Sequence, residues 1–154
     1  TQTIELDENG DGRTDAWGVY RGPDLERWMS DRNADGSPDS WDTFESGSIR
    51  HGEADDDFDG KPDSWYEYRD GVLARSTFDG DRNGIPDSTI ELVHGVAVVE
   101  RVHPNGGPVE REERYVDGVL REVFAIAPDG TSKRIRTYDA VGREVGSSDA
   151  QDGR

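Results

Sequence analysis

The chain has 154 residues, no cysteine and a formal net charge of −17, with 34% charged and 31% hydrophobic residues. Leu, Ile, Val and Phe together account for only 28 of the 154 residues. Highly charged chains of this kind are commonly disordered, because they bury too little apolar surface to offset the entropy of ordering. A folded state therefore needs a stabilising element other than an ordinary hydrophobic core.

The same composition excludes several classes of function. No apolar run approaches the roughly 18 to 20 residues that span a bilayer, so we expect a chain that is not embedded in a membrane. The acidic excess opposes binding to nucleic acid and to anionic lipid. The absence of cysteine excludes disulfides, thiolate zinc sites and thiol catalysis.

A nine-residue motif, D-x-[DN]-x-[DN]-G-x-x-D, occurs four times with a constant step of 24 residues. The four copies, named loops 1 to 4, comprise residues 7–15, 31–39, 55–63 and 79–87. A fixed register of this length indicates a tandem repeat.

The residues between the loops repeat as well. The tenth residue after each first Asp is Trp17, Trp41, Trp65 or Thr89, and the thirteenth is Tyr20, Phe44, Tyr68 or Leu92. A glycine turn follows at Gly22-Pro23, Gly47, Gly71 and Gly95, and then an apolar or small residue at Leu25, Ile49, Leu73 and Ala97. Each unit predicts an acidic loop, a strand, a tight turn and a second strand. Segments between Gly and Pro are too short for stable helices.

The predicted fold is therefore all-β, an extended or solenoid-like antiparallel array of 24-residue hairpins linked by the loops. The tenth and thirteenth residues after each first Asp are three residues apart. A regular strand therefore places their side chains on opposite faces of its sheet. Two alternatives follow: either both faces are covered, or the hairpins contain a bulge.

The acidic motif is lost where a fifth copy is due, since that segment begins at His103 and reads HPNGGPVER. The hairpin pattern continues, with strands predicted at residues 96–102, 110–116, 119–127, 131–138 and 143–145. The predicted organisation is four loop-and-hairpin repeats over residues 1–102, degenerate hairpins without loops over 103–147, and a flexible tail over 148–154.

Loops 1 to 4 have the pattern of a chain wrapped around a hard cation. Oxygen-bearing side chains alternate along each loop, the sixth residue is glycine and permits a sharp bend, and the seventh can offer its carbonyl. All-oxygen ligation favours Ca²⁺ over Mg²⁺, which retains water, and over zinc or copper. The alternative is that Asp, Asn and Gly only fill turns. It is disfavoured because empty clusters of carboxylates repel one another.

These loops resemble the first half of an EF-hand loop and, more closely, the calcium repeats of thrombospondin type 3, over residues 7–87. The EF-hand glutamate at position twelve is missing, because those places hold Gly18, Asp42, Tyr66 and Ile90. The hairpins are similar to aromatic hairpin repeats of exported bacterial lipoproteins and surface proteins. The segment TYDAVGREV, residues 137–145, resembles the tyrosine-aspartate repeats of bacterial cell-surface shells.

The resemblance implies about four Ca²⁺ ions. Their ligands would be the side chains at positions one, three and five, the carbonyl at seven, and the Asp at nine directly or through water. In loop 1 these are Asp7, Asn9, Asp11, Arg13 and Asp15, and in loop 2 Asp31, Asn33, Asp35, Ser37 and Asp39. In loop 3 they are Asp55, Asp57, Asp59, Lys61 and Asp63, and in loop 4 Asp79, Asp81, Asn83, Ile85 and Asp87. Loop 3, with four Asp, is expected to bind best.

Other candidate sites are weaker. We expect His51, His94 and His103 to be surface residues. Glu110, Glu112 and Glu113 are expected to pair with Arg111 and Arg114 along an exposed strand. Trp17, Trp41 and Trp65 recur at the same position of the repeat. They fit a repeated packing contact better than a carbohydrate-binding stripe. No catalytic motif is present.

The sequence predicts a non-enzymatic, calcium-stabilised structural protein of an exported or cell-surface assembly. Extracellular calcium matches weak sites of about 10⁻⁴ to 10⁻³ M, whereas cytosolic calcium would leave such sites empty. A bacterial filament subunit that binds other copies of itself, surface proteins or glycans is one form of this hypothesis. The alternatives are a calcium-scaffolded adhesin or carbohydrate-binding module, an enzyme or its accessory domain, and a disordered acidic chain.

Overall fold

A computed structural model describes residues 1–148, and in them the chain forms thirteen β-strands and one short 3-10 turn at Pro104–Gly106. The strands are β1 (Gln2–Leu6), β2 (Ala16–Arg21), β3 (Asp24–Ser30), β4 (Ser40–Glu45), β5 (Ser48–Ala54), β6 (Ser64–Arg69), β7 (Val72–Phe78), β8 (Ser88–Val93), β9 (Val96–Val102), β10 (Arg111–Val116), β11 (Val119–Ile126), β12 (Ser132–Tyr138) and β13 (Glu144–Ser147). The all-β prediction is confirmed. Within residues 1–148, no helix is long and apolar enough to cross a bilayer. The predicted tail lies outside the described residues except for Ser148.

The strands belong to two units, Thr1–Phe78 and Asp79–Arg154. In the first unit, each of the strands β1 to β6 pairs antiparallel with the next strand along the chain, up to β7. In the second unit, β8 to β13 pair in the same way. The tandem array of hairpins that the repeat predicts is therefore present in the structure.

Two-residue turns close most of the hairpins. Both central residues have φ between 50° and 77° in Ser46-Gly47, Asp70-Gly71, His94-Gly95 and Asp117-Gly118. This is the pattern of type I′ turns, whose twist matches that of the strands they join. In the first hairpin only Gly22 has a positive φ, of 61°, and Pro23 follows it, as in a type II′ turn.

The hairpins also contain a bulge, which lies in the second strand. Val19 pairs with Arg27 and Tyr20 with Leu25, so Glu26 is an extra residue in β3. The same shift recurs in four further hairpins, at Arg50, Ala74, Val98 and Arg121. Because the first strand stays regular, Trp17 and Tyr20 lie on opposite faces, and each is half-buried. The predicted bulge is therefore confirmed, whereas the two aromatic side chains are only partly covered on their respective faces.

Hydrophobic burial is sparse on both faces. Among the described residues, the only buried hydrophobic side chains are Ala16, Ala54 and Val123. The buried polar residues are Asp15, Asp31, Asp39, Asp55, Ser64, Ser76, Asp79 and Thr89. Five of these eight residues are loop aspartates, so buried loop aspartates outnumber the three buried hydrophobic residues.

The repeated Trp residues form one row across the first unit. Backbone pairing aligns Trp17, Met29, Trp41, Glu53 and Trp65 on adjacent strands. The three Trp side chains are half-buried. They therefore contribute a strip of apolar contact on one face, as the repeated packing contact predicts.

The turn at His94 offers a test of the hairpin geometry. Replacing His94 by Asn should stabilise the protein by up to about 1 kcal/mol, because Asn tolerates the left-handed conformation better than His. The expected gain in the thermal midpoint, followed by circular dichroism, is about 1–3 °C. The matched control is His51→Asn in strand β5, where φ is not positive and no gain is expected. Equal effects of the two substitutions would contradict the assigned turn.

Candidate metal centre

Backbone hydrogen bonds close loops 1 to 3 and join loop 1 to loop 2 and loop 2 to loop 3. The N–H of the ninth residue donates to the residue before the loop, at 2.8 to 2.9 Å, in Asp15 to Leu6, Asp39 to Ser30 and Asp63 to Ala54. The N–H of the first residue donates to the ninth residue of the preceding loop, at 2.8 Å, in Asp31 to Asp15 and Asp55 to Asp39. The hydrogen-bond ladder of the strands thus continues through loops 1 to 3.

Two residues in each loop adopt the left-handed conformation. The sixth-position glycines Gly12, Gly36, Gly60 and Gly84 have φ between 85° and 94°, which confirms the predicted bend. The fourth position also has positive φ, between 61° and 79°, in Gly10, Ala34, Phe58 and Arg82. Because three of these four are not glycine, the loops hold residues in a conformation that costs free energy.

The first Asp of each loop is held by backbone N–H groups of the same loop. In loop 3, Asp59 donates to Asp55 Oδ1 at 3.2 Å and Gly60 donates to Asp55 Oδ2 at 2.7 Å. The equivalent pair of bonds is present in loops 1, 2 and 4. These donors compensate for the burial of Asp55, whose exposed fraction is only 2%.

The ninth Asp holds the other end of the loop. Oδ2 of Asp63 accepts the N–H groups of Asp56 and Asp57, at 2.8 and 3.2 Å. Corresponding bonds reach Asp15, Asp39 and Asp87. The carboxylates at the two ends of each loop are therefore oriented by its backbone.

Positions three, five and seven are linked by further turns. The third side chain accepts the N–H of the fifth residue, and the fifth side chain accepts the N–H of the seventh, in all four loops. The seventh residues, Arg13, Ser37, Lys61 and Ile85, are thus placed within the loop by their N–H groups. The role of their carbonyl oxygens as ligands stays a prediction.

Three carboxylates converge in loop 3 and three in loop 4. One oxygen from each of Asp55, Asp57 and Asp63 lies within 4.8 Å of the others, and the same holds for Asp79, Asp81 and Asp87. Oxygens bound to one Ca²⁺ at about 2.3–2.6 Å can be at most about 5 Å apart, so this spacing fits a shared ion. The first, third and ninth positions form these groups, and Asp59, at the fifth position, is not a member.

Loops 1 and 2 carry Asn at the third position and supply other donors to the ninth carboxylate. In loop 1, Asn9 Nδ2 donates to Asp15 Oδ1 at 3.0 Å. In loop 2, Arg32 Nε donates to Asp39 Oδ1 at 2.8 Å. For Asp63 and Asp87, in contrast, the donors shown among residues 1–148 all reach Oδ2. Loops 1 and 2 thus each supply a side-chain donor to Oδ1 of their ninth carboxylate.

The charge of the fifth position in loop 2 is also stabilised by the loop. The Asn33 amide, at 3.1 Å from Asp35 Oδ2, and the Ser37 N–H hold the pKa of Asp35 below its usual value. Asp35 therefore stays ionised at any pH near neutrality.

The other candidate residues are three histidines and the charged residues of strand β10. His51 and His94 are exposed, whereas His103 is half-buried with Nε2 at 3.0 Å from Thr89 Oγ1. Arg114 pairs with Glu112 at 2.8 Å, and Arg111 pairs with Glu113 at 3.2 Å. The predicted pairing of charges on strand β10 is confirmed for these two pairs.

Sequence reasoning missed Arg32. It reaches from loop 2 to loop 3, where Nη1 lies 3.1 Å from Asp56 Oδ1 and Nη2 donates to the Asp55 carbonyl at 2.7 Å. A signal was present, because the second position holds Glu8, Arg32, Asp56 and Gly80, so only loop 2 has a basic residue there.

Comparisons with known proteins add little to this geometry. No protein-family model and no curated protein matches the chain. Among solved structures, it is similar to TarM, with 8% identity, a TM-score of 0.40 and coverage of 86% of this chain and 21% of TarM. A point mutant of S. aureus TarM in complex with Fondaparinux, alpha-GlcNAc-glycerol and UDP gives 10% identity, a TM-score of 0.35 and the same coverages. The chain spans about one fifth of these proteins, and likeness this distant carries no argument about function.

The converging group in loop 3 can be tested by one isosteric change. Asp63→Asn keeps an oxygen that can accept the loop N–H groups but removes one of the three charges. We expect calcium affinity at loop 3 to fall about tenfold or more, equivalent to ~1.4 kcal/mol, as measured by calorimetric titration. Asp70→Asn removes the same charge from a hairpin turn outside the loops and should leave the affinity unchanged. Equal titrations of the two variants would exclude Asp63 as a ligand.

Proposed function

We propose that the chain is a non-enzymatic calcium-binding structural repeat protein that takes up about four Ca²⁺ ions. The observation that carries the proposal is the convergence of Asp55, Asp57 and Asp63 within 4.8 Å, repeated by the equivalent residues of loop 4. Three carboxylates at this distance repel one another, and a divalent ion turns that repulsion into attraction.

Calcium is the ion that best fits these donors. The side chains at positions one, three, five and nine of the loops present only carboxylate and amide groups, and hard oxygen ligands favour Ca²⁺. Each bound Ca²⁺ would also offset two of the 17 excess negative charges. Loop 3 has Asp at all four of these positions and is expected to have the highest affinity.

The place of the loops in the chain supports a structural role. In the first unit, loops 2 and 3 each connect two hairpins, and the first Asp of each of these loops is buried. The unfolded chain does not hold these carboxylates together. The free energy of ion binding would therefore contribute directly to folding, and compensate for the sparse hydrophobic burial.

An exported or cell-surface location follows from the expected affinity. Calcium sites of extracellular modules bind at about 10⁻⁴–10⁻³ M, which is too weak for cytosolic calcium. Assembly into a bacterial surface filament is the more specific form of the proposal. Strand β1 (Gln2–Leu6) supports assembly, because all five of its residues are exposed. An exposed strand can pair with a strand of another molecule.

Withdrawal of calcium tests the proposal. We expect a chelator to reduce the β-signal in circular dichroism and to lower the thermal midpoint by at least about 10 °C, because each ion lost removes on the order of 1 kcal/mol or more of linkage free energy. Adding calcium back should restore both quantities, and an equal concentration of Mg²⁺ should restore less. Size-exclusion chromatography with light scattering reports assembly in the same samples. Unchanged stability after complete removal of calcium would contradict the proposal.

A calcium-scaffolded glycan-binding module is the second candidate. A depression of about 200 Å³ lies on the first unit beside Trp41, with Arg27, His51 and Glu53 among its lining residues. An aromatic ring flanked by polar side chains is a common way to bind sugar rings. Asp42 also lines the depression, and burial raises its pKa.

Tryptophan fluorescence distinguishes this candidate from a purely structural role. A glycan that occupies the depression should shift the emission and protect it from acrylamide, and Trp41→Phe should abolish most of the effect. Trp17→Phe, in the same row but outside the depression, is the matched control. Absence of any glycan-dependent change across a panel of neutral and acidic polysaccharides would exclude the second candidate.

A further inference from the structure

Arg32 is the one basic side chain at the second position of the four loops. Its guanidinium group lies between loop 2 and loop 3 and contacts both. None of the predicted calcium ligands is Arg32, so its contacts are a feature separate from the ligand pattern of the repeat.

In loop 2, Arg32 neutralises the ninth carboxylate. Nε of Arg32 donates to Asp39 Oδ1 at 2.8 Å, and the N–H groups of Arg32 and Asn33 donate to Asp39 Oδ2 at 2.9 and 3.2 Å. The Asp39 side chain is only 5% exposed. The hydrogen bond to Asp39 is the largest cause of the raised pKa of Arg32. Asp39 thus already has a positive partner and donors on both oxygens.

In loop 3, the same guanidinium makes two further polar contacts and one ring contact. Nη2 donates to the carbonyl oxygen of Asp55 at 2.7 Å, and Nη1 pairs with Asp56 Oδ1 at 3.1 Å. Asp56 is fixed from its other side, because Ser64 Oγ donates to Asp56 Oδ2 at 2.8 Å. The guanidinium carbon also lies 5.6 Å from the centre of the Phe58 ring, within the range of a cation–π contact.

We propose that Arg32 is a resident counter-ion that takes the place of a divalent ion at Asp39 and fastens loop 2 to loop 3. Loop 2 is then a weaker calcium site than loop 3, because an ion that enters loop 2 must share Asp39 with a guanidinium of like charge. The junction between loops 2 and 3 is then the part of the ladder that keeps its order longest when calcium is withdrawn. The weakness of loop 2 as a calcium site rests on the proposed function. The lasting order of the junction between loops 2 and 3 does not require any bound ion.

The N–H group of the sixth-position glycine bonds to the first Asp of the same loop, so its NMR signal follows each loop separately. Gly36 N–H donates to Asp31 Oδ2 at 2.7 Å in loop 2, and Gly60 N–H donates to Asp55 Oδ2 at 2.7 Å in loop 3. In a calcium titration followed by NMR, the Gly36 amide of the unmodified chain should shift at a calcium concentration at least tenfold higher than the Gly60 amide. Arg32→Gln should lower the Gly36 midpoint about tenfold. Coincident midpoints in the unmodified chain, or no change in Arg32→Gln, would overturn the counter-ion assignment.

Two variants control for charge and folding. Arg69→Gln removes one positive charge from an exposed position in β6, outside the loops, and should leave the Gly36 midpoint unchanged. Arg32→Lys keeps the charge at position 32 but cannot span three acceptors. It should keep loop 2 weak while it loosens the junction, so it separates the two parts of the proposal even if Arg32→Gln folds poorly.

Hydrogen exchange at two backbone amides compares the stability of the junction between loops 2 and 3 with that of the junction between loops 1 and 2. The Asp55 N–H donates to the Asp39 carbonyl between loops 2 and 3, and the Asp31 N–H donates to the Asp15 carbonyl between loops 1 and 2, both at 2.8 Å. As calcium is lowered stepwise, Asp55 should exchange at least tenfold more slowly than Asp31. Arg32→Gln and Arg32→Lys should remove most of this difference, and Arg69→Gln, outside the loops, should preserve it. Equal rates in the unmodified chain would overturn the fastening role.

The calcium titration and the hydrogen-exchange experiment also distinguish a failure of this proposal from a failure of the proposed function. If no loop glycine responds to calcium, the calcium-binding function and the counter-ion assignment both fail. The exchange difference between Asp55 and Asp31 in calcium-free buffer then decides the fastening role by itself. If the glycines respond but their midpoints coincide, the calcium-binding function stands and the counter-ion assignment fails.

Discussion

The structure depends on the compensation of carboxylate charge within each loop. The first and ninth Asp are brought together by the bend at the sixth residue, and Asp55, Asp39 and Asp79 are buried to 4% exposure or less. Backbone N–H groups supply part of the compensation, at both ends of the loop. In loops 3 and 4 a third carboxylate joins the pair, with one oxygen from each of the three side chains within 4.8 Å of the others, and like charges at this distance repel one another. This is the physical reason to place a cation in these loops.

The same constraint explains why so acidic a chain forms strands at all. With Ala16, Ala54 and Val123 as the only buried hydrophobic residues among those described, side-chain packing alone provides little free energy. The hairpins are locally favourable because of their type I′ turns, and the loops join one hairpin to the next. Compensation in the loops therefore decides whether the hairpins act as separate pieces or as a continuous ladder.

Much of this arrangement is predictable from sequence because it repeats. The 24-residue step locates the loops, and Gly47 and Gly71 mark turns whose positive φ requires or favours glycine. Other features leave no residue-type signature. Phe58 occupies the left-handed region at the fourth position because the loop closes around it, although its own preference is against it. The bulge at Glu26 is set by strand pairing, and the hydrogen bonds from Arg32 to Asp55 and Asp56 depend on how loops 2 and 3 stack.

The central claim is that divalent ions occupy the converging carboxylates of loops 3 and 4. Anomalous diffraction from crystals grown with calcium tests it most directly, because it locates each ion and its ligands at once. The account predicts one peak bound by Asp55, Asp57 and Asp63 and another bound by Asp79, Asp81 and Asp87. Well-ordered loops with no anomalous peak at millimolar calcium would contradict it.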